Sequence, residues 1–243
     1  VKEKEYIETF DFNELSDAFD FSEADSDIFD VEQLQGIDIR LIKPPRSKDK
    51  VAAWENAQKT ASKIDVEVGM SYFGIIDGSF IFGDLIEAIF VGKKLRARRL
   101  DIQTLSLSQE NVDSLATLLI KGYVKELNLL ISDYFFAHER RVLIPYIYDK
   151  LDIANRFQLA VCGLHTKIIT AELITGLKLV VHGSANLRSS GNIEQIAIQD
   201  SDEIYQFITE MNDNIINKFK TINKSIRRQK LWRVLEAPAK RIN

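Results

Sequence analysis

One cysteine, Cys162, stands in 243 residues, so no internal disulfide can form. Its neighbours in Phe157-Gln-Leu-Ala-Val161 are mostly apolar, which marks it as a small buried side chain. Only three histidines accompany it, too few donors for a structural zinc site to be expected. A nearly cysteine-free chain fits a reducing compartment. No apolar run approaches the roughly 20 residues that a membrane-spanning helix needs. The first residues are acidic, unlike the basic and then apolar pattern of a secretory leader. These absences lead to the expectation of a soluble, cytoplasmic protein with no membrane partner. At 45% apolar and 28% charged residues, the chain has the composition of a globular domain large enough to bury a core.

The formal net charge of -4 conceals an asymmetry. Residues 1–35 hold 12 acidic side chains against Lys2 and Lys4, which leaves the rest of the chain net positive by six. The end is the most basic part: Lys218, Lys220, Lys224, Arg227, Arg228, Lys230, Arg233, Lys240 and Arg241 face a lone Glu236. Local sign decides which polyanions can dock, so the acidic total does not argue against a nucleic acid. Leu231 and Trp232 anchor this tail without forming a clear apolar face, which disfavours a membrane surface. The acidic, Phe-rich start reads as a loosely docked segment, or as a strip that competes with a phosphate backbone for the basic face.

Four regions follow: an acidic segment 1–36, an accessory α/β region 37–97, a core 98–219 and a basic tail 220–243. Ile37 to Lys43 alternates as a half-buried strand does, and Pro44-Pro45 ends it. Lys50 to Ile64 has helical spacing through Val51, Trp54, Ala57 and Ala61. Val66 to Ile76 predicts a strand and turn, and Asp84 to Val91 a short helix. From Leu100 the order becomes regular. Strands are predicted at Leu100–Leu107, Val124–Ser132, Phe157–Cys162, His165–Ala171, Gly176–His182 and Ile193–Ile198. Helices are predicted from Gln109 to about Lys121 with Ser108 as N-cap, from Glu139 to Leu151, and from Asp200 to about Phe219. Such alternation predicts an α/β fold, a sheet with helices on its faces whose ligands sit at strand ends.

One group of residues carries chemistry. In a strand, positions i and i+2 share a face, so His165 and Lys167 are expected to project together, with Thr166 opposite. Gly183-Ser-Ala-Asn186 follows a predicted strand, where a tight turn can aim N–H groups and polar side chains at an anion. Asn192-Ile-Glu194 opens the next strand. Imidazole, ammonium, carboxamide and carboxylate are thereby gathered at neighbouring strand ends. An imidazole can serve as nucleophile or general acid near neutral pH. Lys and Asn can stabilise a phosphoryl group in flight, and a carboxylate on the second ring nitrogen can fix the tautomer. No metal or other cofactor is expected if these groups supply the charge.

HTKIITAE followed by GSANLRSSGNIEQ resembles the signature of the phospholipase D superfamily: His-x-Lys, four residues, Asp, then Gly-Ser-x-Asn and a Glu shortly after. The match covers about Leu100 to Phe219, and Glu172 stands where the pattern has Asp. The chain looks most like the small phage-type and mobile-element members with one His-x-Lys motif. The resemblance implies a mixed β-sheet with helices on both faces. It also implies a metal-independent site built across a homodimer. In that site His165 of one copy attacks phosphorus while His165 of the other protonates the leaving oxygen. Lys167 and Asn186 would hold the phosphate, Glu194 would orient the imidazole, and Ser184 and Glu172 would support them. The stretch Leu173–Leu177 is expected to form an extended hairpin.

Arg140 and Arg141, at the end of Ser132-Asp-Tyr-Phe-Phe-Ala-His-Glu, and Arg188 are candidates to bind neighbouring phosphates. His182 reads as a strand histidine. Three functions stay open: a phosphodiesterase acting on nucleic acid, most simply DNA; a catalytically silent nucleic-acid-binding protein; and a lipid phospholipase or transferase.

Overall fold

The computed structural model describes residues 50–54 (backbone only), 57–76, 81–188 and 192–219. The expected strand at Ile37–Lys43, the acidic segment and the basic tail lie outside these residues. Eight strands are described: β1 (Lys50–Trp54), β2 (Ser71–Ile76), β3 (Ala97–Thr104), β4 (Val124–Ser132), β5 (Phe157–Cys162), β6 (Ile168–Leu173), β7 (Lys178–Gly183) and β8 (Glu194–Asp200). The described helices are α1 (Ala57–Lys63), α2 (Phe82–Gly92), α3 (Gln109–Ile120), α4 (Asp133–Glu139), α5 (Leu143–Leu151) and α6 (Asp202–Lys218).

The strands form one mixed sheet in the order β1-β2-β8-β7-β6-β3-β4-β5. β3, β4 and β5 run parallel, so each pair needs a crossover, supplied by α3 and by α4 with α5. Leu127, Leu129, Leu130 and Ile131 of β4 are at most 1% exposed, so both faces of this half of the sheet are covered. On β3, Asp101 and Gln103 reach Asn212 of α6, while Leu100 and Ile102 are fully buried on the other face. The architecture is thus α/β, a mixed sheet with helices on both faces. β2 pairs with β8, which joins the 50–76 stretch to the same sheet as β3–β8.

Local chemistry explains most boundaries. Ser108 caps α3: its side chain accepts from Asn111 N, and the Asn111 side chain accepts from Ser108 N. Ser132 caps α4 and Ser201 caps α6 in the same way, each accepting from a backbone N–H three residues on.

Four expectations are corrected. Lys50–Trp54 is a strand paired in parallel with β2, because the ladder to Tyr72–Ile76 outweighs the local helical spacing. The helix expected at 139–151 starts only at Leu143, and a separate helix, α4, capped by Ser132, ends at Glu139. In a continuous helix Pro145 would clash with the carbonyl of Arg141, so the chain turns at 140–142 and Pro145 falls in the first turn of α5. The hairpin is tight: Leu173 N donates to Leu177 O at 2.9 Å, and Gly176 takes a φ of 96°. Finally, β6 begins at Ile168, so His165 and Lys167 lie in the connection that precedes the strand.

That connection has a defined place. Register pairs Ser132 with Cys162, Gln103 with Ile168, Ile168 with His182, Gly183 with Ile196, and Ile76 with Glu194. The ends of β3, β4, β5 and β7 and the starts of β6 and β8 therefore share one edge of the sheet. The β5–β6 connection passes across the ends of β4 and β3, since those strands lie between β5 and β6.

Candidate active site

The edge gathers His165, Lys167, Ser184, Asn186 and Glu194. His165 is exposed and Lys167 half-buried. Lys167 Nζ lies 3.4 Å from His165 Nδ1 and donates to the His165 carbonyl at 2.9 Å. The two side chains meet although the strand alternation expected to align them is absent. Burial holds the Lys167 ammonium below its ordinary pKa, and the Glu194 carboxylate opposes that shift. Glu194 accepts a hydrogen bond from the Ser184 hydroxyl, and Ser184 Oγ accepts from Gln195 N at 3.0 Å. The Glu194 carboxylate thus serves both the serine and the ammonium.

Asn186 has a divided role. Its Oδ1 accepts from Leu105 N at 3.2 Å, just beyond β3. That bond turns the carboxamide so that Nδ2 is the end left to donate. The turn that presents Ser184 and Asn186 depends on Gly183. A Cβ there would fall 2.1 Å from the Gln195 carbonyl oxygen, the acceptor of Ser184 N at 3.0 Å.

The connection bearing His165 is tied down from beneath. Thr166 donates its hydroxyl to Gln103 Oε1. Gln103 Nε2 donates to Asn212 Oδ1 at 2.5 Å, and Asn212 Nδ2 donates to Asp101 Oδ2 at 3.1 Å. Asp101 also accepts from Asn128 Nδ2 at 2.8 Å and from Arg99 at 2.7 and 2.8 Å. Arg99 bridges onward to Asp213, and these two carboxylates raise its pKa against the opposing effect of burial. Asp101, Gln103 and Asn212 are at most 1% exposed. A buried polar chain therefore runs from α6 through β3 to the residue between His165 and Lys167. Sequence reasoning missed it. The signal was present as two polar residues, Asp101 and Gln103, alternating with apolar ones inside a strand flanked by strands buried on both faces.

The other candidates fall elsewhere. Glu172 lies toward the opposite end of β6, paired with Lys178 at 2.9 Å and Arg98 at 3.5 Å, which hold its carboxyl below the ordinary range. Arg140 and Arg141 occupy the turn between α4 and α5. Arg188 is exposed and lines a cavity of about 440 Å³ with Ser108, Glu110, Glu139 and Leu143. Cys162 is buried, and its thiol pKa is pushed up to about 12 by burial and then by Asp133. Among the described residues no cluster of three or more His, Cys, Asp and Glu could hold a metal, and no helix is long and apolar enough to cross a membrane.

His182 on β7 is half-buried, with Nε2 3.4 Å from Gln199 Nε2. Burial lowers its pKa from the ordinary 6.5. The folded chain thus binds fewer protons than the unfolded chain as pH falls through 6.5, and acidification there costs stability. Urea midpoints measured from pH 7.5 down to 5 are expected to fall more steeply for the wild type than for His182→Gln. Parallel curves would remove His182 from the acid sensitivity.

No protein-family model matches the sequence, and no curated protein matches it significantly. Among solved structures the chain resembles phospholipase D family proteins. It is similar to NUC of Salmonella typhimurium, a phospholipase D family member, at 12% identity and TM-score 0.45, over 63% of this chain and 97% of that one. NucT from Helicobacter pylori gives 12% identity and TM-score 0.47, over 62% and 98%. Phosphatidylserine synthase of Haemophilus influenzae Rd KW20 gives 16% and 0.42, over 62% of this chain and only 38% of the synthase.

Proposed function

We propose that the chain is a metal-independent phosphodiesterase acting on nucleic acid, with its site completed by a second copy. The observation that supports this is an exposed imidazole 3.4 Å from a partly desolvated ammonium, on the same sheet edge as the Asn186 carboxamide. His165 attacks phosphorus and forms a phosphohistidine, and the leaving oxygen takes a proton from His165 of the second copy. Lys167 Nζ and Asn186 Nδ2 neutralise the phosphoryl oxygens as charge builds on them. Water then attacks the phosphohistidine, the second imidazole accepts its proton, and the phosphomonoester leaves. Glu194 keeps Lys167 charged against burial and, with Ser184, holds the turn that aims Asn186. The chain after residue 35 is net positive by six, which favours a phosphate backbone as substrate.

The test is hydrolysis of bis(4-nitrophenyl) phosphate and of DNA in excess EDTA, with the solution mass measured under assay conditions. Turnover by a dimer in EDTA is the expected result. Turnover only with a divalent ion would overturn the mechanism, and a monomer that turns over would overturn the shared site. Salt-sensitive DNA binding without any hydrolysis would identify a silent binding protein.

A further inference from the structure

Helix α4 begins at the site's edge and carries an aromatic surface that the hydrolytic residues do not use. Its N-cap, Ser132, accepts from Phe135 N at 3.0 Å, and Phe135 is buried at 6% exposure. Tyr134, beside it, is 53% exposed. Its ring lies against His138 one turn later, with centroids 4.1 Å apart and an interplanar angle of 38°. His138 Nδ1 lies 2.8 Å from the Tyr134 carbonyl oxygen, a hydrogen bond that fixes the imidazole under the phenol ring. Both side chains face solvent, already ordered against each other.

The position is set by one residue. Leu105 N donates to Asn186 Oδ1 at 3.2 Å, and the Leu105 carbonyl accepts from Ser132 Oγ at 3.2 Å. The Asn186 amide and the cap of α4 thus sit on the two sides of one peptide segment. Asp133 also acts on the Cys162 thiol, and Cys162 leads directly into Gly163–Lys167. Arg140 and Arg141 follow in the turn after α4.

We propose that Tyr134 and His138 form a stacking platform for an unpaired nucleobase, so that the site selects single-stranded nucleic acid. This rests on the phosphodiesterase reading for its substrate but not for its test. An exposed ring gains from any base face, and a duplex hides those faces within its own stack. The pair loses little freedom on binding because the rings already hold each other. A base stacked there would place its strand beside Asn186 and the His165 connection.

The test uses the full chain in the His165→Ala background, so that the strand stays intact. Fluorescence anisotropy reads its affinity for single-stranded oligodeoxythymidylate, for the same length of abasic strand, and for the duplex with oligodeoxyadenylate. The thymidylate strand is expected to bind about tenfold tighter than the abasic strand. Adding Tyr134→Ala should erase that difference without changing abasic affinity, and Tyr134→Trp should restore it. Equal weakening of both strands, unchanged thymidylate affinity or no binding of any strand would overturn the platform. The two proposals fail separately. Loss of base dependence alone would leave EDTA-resistant hydrolysis by the wild type standing. Absent hydrolysis with base-dependent binding would leave the platform standing.

Discussion

His165→Ala is expected to lower EDTA-resistant phosphodiester hydrolysis by about 10³-fold or more, because it removes the nucleophile and the general acid together. The remaining rate would come from Lys167 and Asn186, which still hold the phosphate. Mixing makes the prediction sharper. Each turnover is proposed to need one His165 from each of two copies, so a mixed pair has only half of the chemistry. Equal amounts of wild type and His165→Ala, allowed to exchange, should retain about a quarter of the activity of the same total of wild type. Retention of about half would mean that each chain works alone. Lys167→Ala should leave the imidazole in place and reduce kcat more than it raises KM, since the ammonium is proposed to meet charge that grows in the transition state.

Asp101→Ala is expected to be the most damaging single change to the fold. Asp101 is 1% exposed and accepts from Arg99, Asn128 and Asn212. Removing it takes the acceptor from two amides and one of two carboxylate partners from the Arg99 guanidinium. Breaking a buried pair costs about 3–5 kcal/mol, and the lower figure applies here because Arg99 is 21% exposed and keeps Asp213. Equilibrium urea unfolding reads the loss, and a shift below about 1 kcal/mol would overturn the assignment of Asp101 as the hub. Asp101→Asn should recover part of it by keeping one acceptor oxygen. The same variants should affect catalysis where they still fold. Asn212 holds Gln103, and Gln103 holds Thr166 between the proposed nucleophile His165 and Lys167.

Much was legible in the residues themselves. β4 and β5 run over 124–132 and 157–162 as read from the sequence, because apolar runs bounded by turn residues have no other stable use inside an α/β sheet. Ser108 was legible as a cap because capping is local, settled within three residues. The order of His165, Lys167, Ser184, Asn186 and Glu194 followed from spacing along the chain, and the sheet register brings their segments to one edge.

Partners were not legible. His165 and Lys167 meet through a bond to the His165 carbonyl in a connection, where strand alternation has no hold. Glu172, read from the motif as a supporting residue, pairs with Lys178 and Arg98 toward the far end of β6, partners that the motif does not name. Lys50–Trp54 took a parallel neighbour that helical spacing could not foresee. The chain by itself determined most of the strands and helices from β3 onward and which chemical groups stand near their ends. Periodicity and capping act over a few residues and are written locally. Only the tertiary structure decided which of those groups touch, as between Gln103 and Asn212 or Leu105 and Asn186. Such bonds join residues about 80 to 110 apart, and their geometry exists only once the sheet has set the register.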